Sequence, residues 1–248
     1  MLDAVIRNII KRVMPRGVLE IWRRAAIRRM HQRNSKRSVA QVFRTIYLDN
    51  LWGGKSGEFC SGIGSTGVPA AAYCQFVKNF IVARGIKTVA DLGCGDFRIG
   101  REVSEVVESY VGVDIVQELV ERNRMLFGTE RVAFQCFDII QDSLPDADLC
   151  LVRQVFQHLS NSQIASILEK FSKYQYVLVT EHYPKPGKGF LPNIDKPHGA
   201  DTRLLQNSAV VIGLPPFDKW NAAEVLSVAA ERWQGTPGEA IKTFLIAR

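Results

Sequence analysis

The stretch from Thr88 to Gly100, TVADLGCGDFRIG, constrains the fold of this chain more than any other. Its apolar start suits a buried strand, and Gly93 and Gly95 let the backbone turn sharply while leaving it open to a ligand. The strand runs from Lys87 to Leu92, and four more β-type runs follow: Tyr110 to Asp114, Val132 to Phe137, Asp148 to Val152 and Tyr176 to Thr180. Helical patterns at 98–108, 116–127 and 161–173 lie between them, and others at 39–48 and 69–84 precede them. Such alternation predicts an α/β domain with a parallel sheet covered by helices on both faces. The ending differs, because Val225 to Ala230 and Ala240 to Ala247 flank the turn-rich QGTPGE and predict an antiparallel hairpin.

At 248 residues the chain is long enough for one such domain and an appendage. A formal net charge of +7 would point to nucleic acid if it were spread over one face. It is concentrated instead: between Met1 and Arg37 eleven Lys or Arg oppose Asp3 and Glu20, a net +9, which leaves the remainder slightly acidic. In this segment Val5, Ile9, Val13, Leu19, Trp22, Ala26 and Met30 recur at helical spacing with arginines between them, and Pro15 and Gly17 divide it into two helices. Two readings stand open. Residues 1–33 lie on an anionic membrane surface, or their apolar stripe packs on the following domain with the arginines in solvent. On this basis residues 1–48 form a basic helical extension and 49–248 the main domain.

Five cysteines are scattered without a C-x-x-C pair, which disfavours a zinc knuckle or a disulfide framework and suits a reducing cytosol. No apolar run is long enough to span a membrane, and charges at Arg7, Lys11 and Arg12 interrupt any secretory signal. The expected location is cytoplasmic, with peripheral attachment to the inner face of the membrane as the alternative.

The glycines are spaced for a nucleotide-like ligand, yet the G-x-G-x-x-G dinucleotide fingerprint fails because residue 98 is Arg98, so NAD is disfavoured. What remains is a row of acids at strand ends: Asp91, Asp114 and Asp138. Asp114 follows Asp91 by 23 residues, the spacing at which an acid after the second strand meets ribose hydroxyls. Three such acceptors suit a ligand with amine and hydroxyl donors and a cationic centre, as S-adenosylmethionine has.

With DLGCGD and these acids, residues 50–248 resemble the class I, Rossmann-like S-adenosylmethionine-dependent methyltransferases. The resemblance implies a doubly wound, mostly parallel seven-stranded sheet with a reversed last strand. It also implies that the loop Gly93, Cys94 and Gly95 lies against the methionine and ribose part of the cofactor, that Asp114 accepts from the ribose hydroxyls, that Asp138 contacts the adenine amine, and that Asp91, Ile115 and Ile139 belong to the same cofactor site. Asp142 is an alternative to Asp138. The family's third glycine is replaced by Phe97. A narrower resemblance rests on LDNLWGGKSGEFCSGIGST, DLGCGDFR, VRQVFQHLS, LPNID and GADTR. These segments are similar to a bacterial branch of small-molecule methyltransferases associated with surface-polysaccharide or glycolipid biosynthesis. That likeness makes Trp52, Ser61, Gly62, Gly64 and Ser65 candidates for a lid over the cofactor, with Gln154 beside it. The plain alternatives are a core anchor for Trp52 and a flexible connector for the glycines.

Methyl transfer from a sulfonium asks the protein to align an acceptor and, for a hydroxyl, to remove a proton. A base is expected after the fourth or fifth strand, where Arg153, Gln154, Gln157 and His158, then Glu181 and His182, follow one another. His158, Glu181 and His182 are the catalytic candidates, although a histidine there also suits a bond to the loop backbone. Asn193, Asp195 and Arg203 lie in a polar insertion before the hairpin that forms either an acceptor pocket or a solvated loop. No compact carboxylate and histidine cluster calls for a metal. The expected reaction is O-methylation of a glycan or glycolipid precursor at the cytoplasmic membrane surface. The alternatives are methylation of RNA or another nucleic acid, and a cofactor-binding module without turnover.

Overall fold

The computed structural model describes residues 16–230 and 238–247. Helices α1 (Arg16–Asn34), α2 (Val39–Leu48) and α3 (Gly67–Arg84) precede the sheet. Strands and helices then alternate: β1 (Thr88–Leu92), α4 (Arg98–Ser104), β2 (Ser109–Asp114), α5 (Gln117–Phe127), β3 (Val132–Cys136), β4 (Leu149–Arg153), α6 (Asn161–Leu168) and β5 (Tyr176–Tyr183). The hairpin strands β6 (Ala223–Ala229) and β7 (Ala240–Ala247) end the sheet.

Seven strands lie in the order β3-β2-β1-β4-β5-β7-β6. β1 to β5 are parallel, whereas β7 runs antiparallel to β5 and β6. The chain thus doubles back between β3 and β4, and strand order reverses beside β1, where a doubly wound sheet opens a crevice at its carboxyl edge. Alternation along the central strands separates two apolar layers. Val89, Leu149, Leu151 and Leu178 pack with Tyr73, Val77, Phe80 and Ile81 of α3 on one face. Ala90, Leu92, Cys150, Val152, Val177 and Val179 meet Ile164, Ile167 and Leu168 of α6 on the other. The three cysteines of the strands and first loop accordingly include two fully or nearly enclosed thiols, Cys94 and Cys150, which pack as small apolar groups.

Several expectations shift at their edges. β5 continues through Tyr183, so Glu181 and His182 belong to the strand instead of following it. The helix at 98–108 stops at Ser104, and that at 161–173 tightens after Leu168 into a 3-10 turn, Glu169–Lys173. Gly17 lies inside α1, which begins directly after Pro15. The proposed helix before Pro15, with Val5, Ile9 and Val13, and most of the turn QGTPGE lie outside the described residues. Capping boxes start α2 at Ser38 with Gln41 and α6 at Ser160 with Gln163.

Ala25, Ala26, Arg28 and Arg29 of α1 are exposed, and the helix is tied to the domain at its end. His31 Nε2 meets Asp201 Oδ2 at 2.9 Å, and Asn34, buried, donates to His198 O at 3.2 Å. α2 is embedded more deeply, with Val42 and Ile46 buried. It is part of the wall of the crevice, although the sequence assigned it to the extension.

Candidate active site

A cavity of about 960 Å³ opens at the carboxyl edge of the sheet. At one end it is lined by the loop after β1 and the ends of β2 and β3, and at the other by the ends of β4 and β5 and by the hairpin. Val39, Phe43 and Tyr47 of α2 close one side.

The first loop has positive φ at Gly93, Gly95 and Phe97, and its two glycines are hemmed in by side chains. Gly93 (φ +77°) has Val155 so close that a Cβ would lie 2.4 Å from its Cγ2. Gly95 (φ +55°) has Ser61 Oγ at 2.3 Å from the same hypothetical atom. Both positions exclude a side chain, and the main chain is left bare toward the cavity. Asn123 of α5, fully buried, supports the loop by donating to Gly95 O at 2.7 Å.

Two carboxylates flank this loop inside the cavity. Asp114 accepts from Gly95 N at 3.2 Å and Val116 N at 3.1 Å, and Asp91 accepts from the Tyr110 hydroxyl. Burial pushes each up to about 6 from 3.8; those hydrogen bonds pull the other way. Asp138 also lines the cavity and turns its own loop by accepting from Ile140 N at 2.9 Å. Asp142 is absent from the lining and instead accepts from Asp138 N at 2.8 Å. Ile115 and Ile139 line the same end.

The loop that contains Trp52 and residues 61–65 comes back over this end. Ser61 N donates to Asp96 Oδ2 at 3.0 Å while Asp96 N donates to Ser61 Oγ at 2.7 Å, a reciprocal latch between the two loops. Tyr47 Oη adds a 3.0 Å bond to Ser61 Oγ. Gly64 lies against the Gln154 amide, where a Cβ would meet Oε1 at 1.9 Å. Gly62 precedes the short turn Ile63–Ser65, and Ser65 Oγ donates back to Gly62 O at 2.8 Å. Trp52 donates from Nε1 to Ala200 O at 3.3 Å, and its ring centroid is 4.9 Å from that of His158. Asp96, Tyr47, Phe43 and Asn123 were not singled out from the sequence; the acid after Gly95 in DLGCGD was the one visible cue.

The three catalytic candidates separate clearly. Glu181 is buried, lies outside the cavity lining and accepts from Phe156 N at 2.8 Å and Gln157 N at 3.0 Å. Burial pushes it up to about 8 against those donors. It holds the turn Phe156–His158. His158 lines the cavity, donates from Nδ1 to Gly199 O at 3.1 Å and takes the Gln157 amide on Nε2 at 3.3 Å. Burial and then the charge of Lys196 draw it down to about 4, so it is neutral at physiological pH. His182 also lines the cavity, and its Nε2 is 3.2 Å from Glu239 Oε2.

The three substrate candidates lie behind the cavity wall. Asn193 donates from Nδ2 to Val211 O, Leu214 O and Pro215 O at 2.9–3.1 Å and accepts from Val211 N. Asp195 accepts from Asn161 N at 2.7 Å, at the start of α6. Arg203, 1% exposed, donates to Ile194 O, Phe156 O, Leu159 O and Asn161 Oδ1. None of the three lines the cavity; the insertion reaches it through Ala200, Thr202 and Leu204.

The residues present fit S-adenosylmethionine. Only glycines allow the loop to pack this closely on Val155 and Ser61 at the cavity edge, and the buried carboxylates there suit hydroxyl and ammonium donors and favour a cationic ligand. Residues 89–174 match the protein family described as Methyltransferase domain. The N-methyltransferase NodS from Bradyrhizobium japonicum WM9 has a similar fold, with a TM-score of 0.51 at 11% identity over 72% of this chain and 97% of that one. Its complex with S-adenosyl-L-homocysteine gives the same TM-score and identity over 75% and 91%. No curated protein matches the sequence. Fold, loop chemistry and domain match define the class: a class I, S-adenosylmethionine-dependent methyltransferase.

Proposed function

We propose that the protein methylates a hydroxyl of a polar acceptor, a glycan or glycolipid precursor, with its basic N-terminal segment set on an anionic membrane surface. One observation carries this reading. The cavity that the glycine loop lines is also lined by Trp52, Gln157, His158, His182 and Thr202, which mix aromatic and hydrogen-bonding surface, a lining that suits a sugar. The narrow sequence resemblance and the Arg-rich segment at residues 1–33 support the acceptor class and the location. No helix among the described residues is long and apolar enough to cross a membrane, which suits attachment at the surface.

In this reading Asp91, Gly93, Cys94, Gly95, Asp114, Ile115, Asp138 and Ile139 hold the cofactor, and the loop with Ser61, Gly62, Gly64, Ser65 and Trp52 covers it beside Gln154. S-adenosylmethionine supplies a methyl group on a positively charged sulfur. Tyr47, Phe43 and the latched loops exclude water, and the aromatic wall orients the acceptor. His182, whose Nε2 is 3.2 Å from Glu239 Oε2, takes the acceptor proton. His158 donates through Nδ1 to Gly199 O and positions the insertion instead.

The test is calorimetric titration with S-adenosylmethionine against NAD, followed by methyl incorporation into glycolipid and polysaccharide-precursor extracts and into RNA. Binding of S-adenosylmethionine alone with label in the glycan fraction is the expected result. Label in RNA, lost steeply with salt, would replace the glycan by a nucleic acid; binding without transfer to any acceptor would leave a cofactor-binding module. His182→Gln should lower turnover about 100-fold with cofactor affinity unchanged, and normal turnover would remove His182 from the mechanism.

A further inference from the structure

The cavity contains one strongly basic group that the cofactor carboxylates and the proton acceptor leave unused. Arg153 ends β4 and lines the cavity between the Gly62–Ser65 turn and β5. Its Nη2 donates to Gly64 O at 2.6 Å, and its guanidinium carbon stands 5.0 Å over the ring of Tyr73. These contacts fix the guanidinium in place, yet neither brings a full negative charge. The buried Nε has no hydrogen-bond partner among the described residues. Asp91 and Glu181 act on the group only at longer range, and burial draws its pKa down. A rigid, largely enclosed cation with donors to spare is costly unless a ligand completes it.

Resting on the reading of this cavity as a cofactor and acceptor chamber, we propose that Arg153 is its carboxylate-binding residue. Two ligands could supply that carboxylate: the amino-acid end of the cofactor, or an acidic sugar on the acceptor. Asp91 sits on the neighbouring strand β1, where Leu92 pairs with Val152. An acid and a guanidinium on adjacent strand ends match the ammonium and carboxylate of an amino-acid zwitterion, which favours the cofactor.

Calorimetry on the full chain separates the sources. S-adenosylhomocysteine carries the amino-acid end, whereas 5′-methylthioadenosine has the same nucleoside and sulfur without it. In Arg153→Met, S-adenosylhomocysteine is expected to bind roughly 10- to 100-fold more weakly, with methylthioadenosine unchanged, and Arg153→Lys should recover part of the loss. Unchanged methylthioadenosine binding also shows that the variant is folded; if the methionine variant does not fold, the lysine variant carries the same comparison. If S-adenosylhomocysteine is unaffected, glucuronate is titrated into the loaded protein. Binding to the wild type that Arg153→Met abolishes assigns the residue to an acidic acceptor. Equal S-adenosylhomocysteine affinity together with no Arg153-dependent glucuronate binding overturns the inference. Failure of the wild type to bind either nucleoside is a different result, since it sinks the proposed function and takes this inference with it.

Discussion

The two ends of the cavity are built on different principles. At the β1–β3 end, backbone and carboxylates line the space directly: Asp91 and Asp114 at the ends of β1 and β2, and Asp138 just after β3. At the β4–β5 end, Arg153, Gln154, Gln157, His158 and His182 line the cavity, but a second set of polar groups is one layer behind the wall. Glu181, Asn193, Asp195 and Arg203 spend most of their hydrogen bonds on backbone atoms of the turn after β4, the start of α6 and the insertion. The difference teaches that one end presents chemistry on rigid strand ends, while the other is an irregular wall whose shape depends on buried polar supports. Such supports are needed because a loop packed inward carries N–H and C=O groups that water no longer satisfies.

Substitutions at the two ends should therefore fail in different ways. The largest effect is expected from Asp114→Ala, which removes a cavity carboxylate and strands the Gly95 and Val116 amides. Cofactor affinity should fall about 100-fold or more by calorimetry; an unchanged value would remove the ribose assignment and the contrast with it. Gly95→Ala comes next, because its Cβ would press on Ser61 Oγ at a backbone φ that side chains rarely adopt. A loss of about 1–3 kcal/mol in denaturant stability and a weaker cofactor complex are expected together.

At the other end, Arg203→Met should cost about 2–3 kcal/mol of stability by leaving buried carbonyls without donors, with cofactor affinity nearly intact. A strong affinity loss without a stability loss would instead place Arg203 among the ligand contacts. The effect of pH sharpens the same contrast. Asp91 and Asp114 titrate near 6 in the fold, and a cation favours their charged forms. Cofactor affinity should therefore fall as pH drops through about 6 and level off above it. In the unliganded fold the sign is opposite: the raised carboxyl pKa contributes stability below 3.8 that is lost as pH rises through about 6. His158 remains neutral down to about 4, so His158→Asn should leave the affinity profile in place. The smallest effect concerns the extension: replacing Arg7, Lys11 and Arg12 with Glu should abolish sedimentation with anionic vesicles while leaving cofactor binding unchanged. Equal sedimentation would end the membrane reading.

The alternation of strands and helices and the pattern of glycines and acids were legible because their determinants are local. Strand periodicity, the glycines and an acid at each strand end are all read within a few residues of one another. That Glu181, Asn193, Asp195 and Arg203 lie outside the cavity lining was not legible, for the same reason inverted. Their residue types suggest a pocket, yet their partners are up to 47 residues away in sequence, as Arg203 and Phe156 are. Asp96 and Ser61 pair across 35 residues, and α2 became a wall of the site because Phe43 and Tyr47 pack on a loop that follows them.

By itself the sequence determined the alternation of strands and helices, the closing hairpin and the row of acids at strand ends, because hydrophobic period and turn chemistry act over short stretches. Only the tertiary structure decided which polar side chains face the cavity and which hold its wall. Burial and hydrogen-bond partnership belong to segments brought together by folding, and the same arginine or glutamate satisfies a backbone or meets a ligand according to what the fold sets beside it.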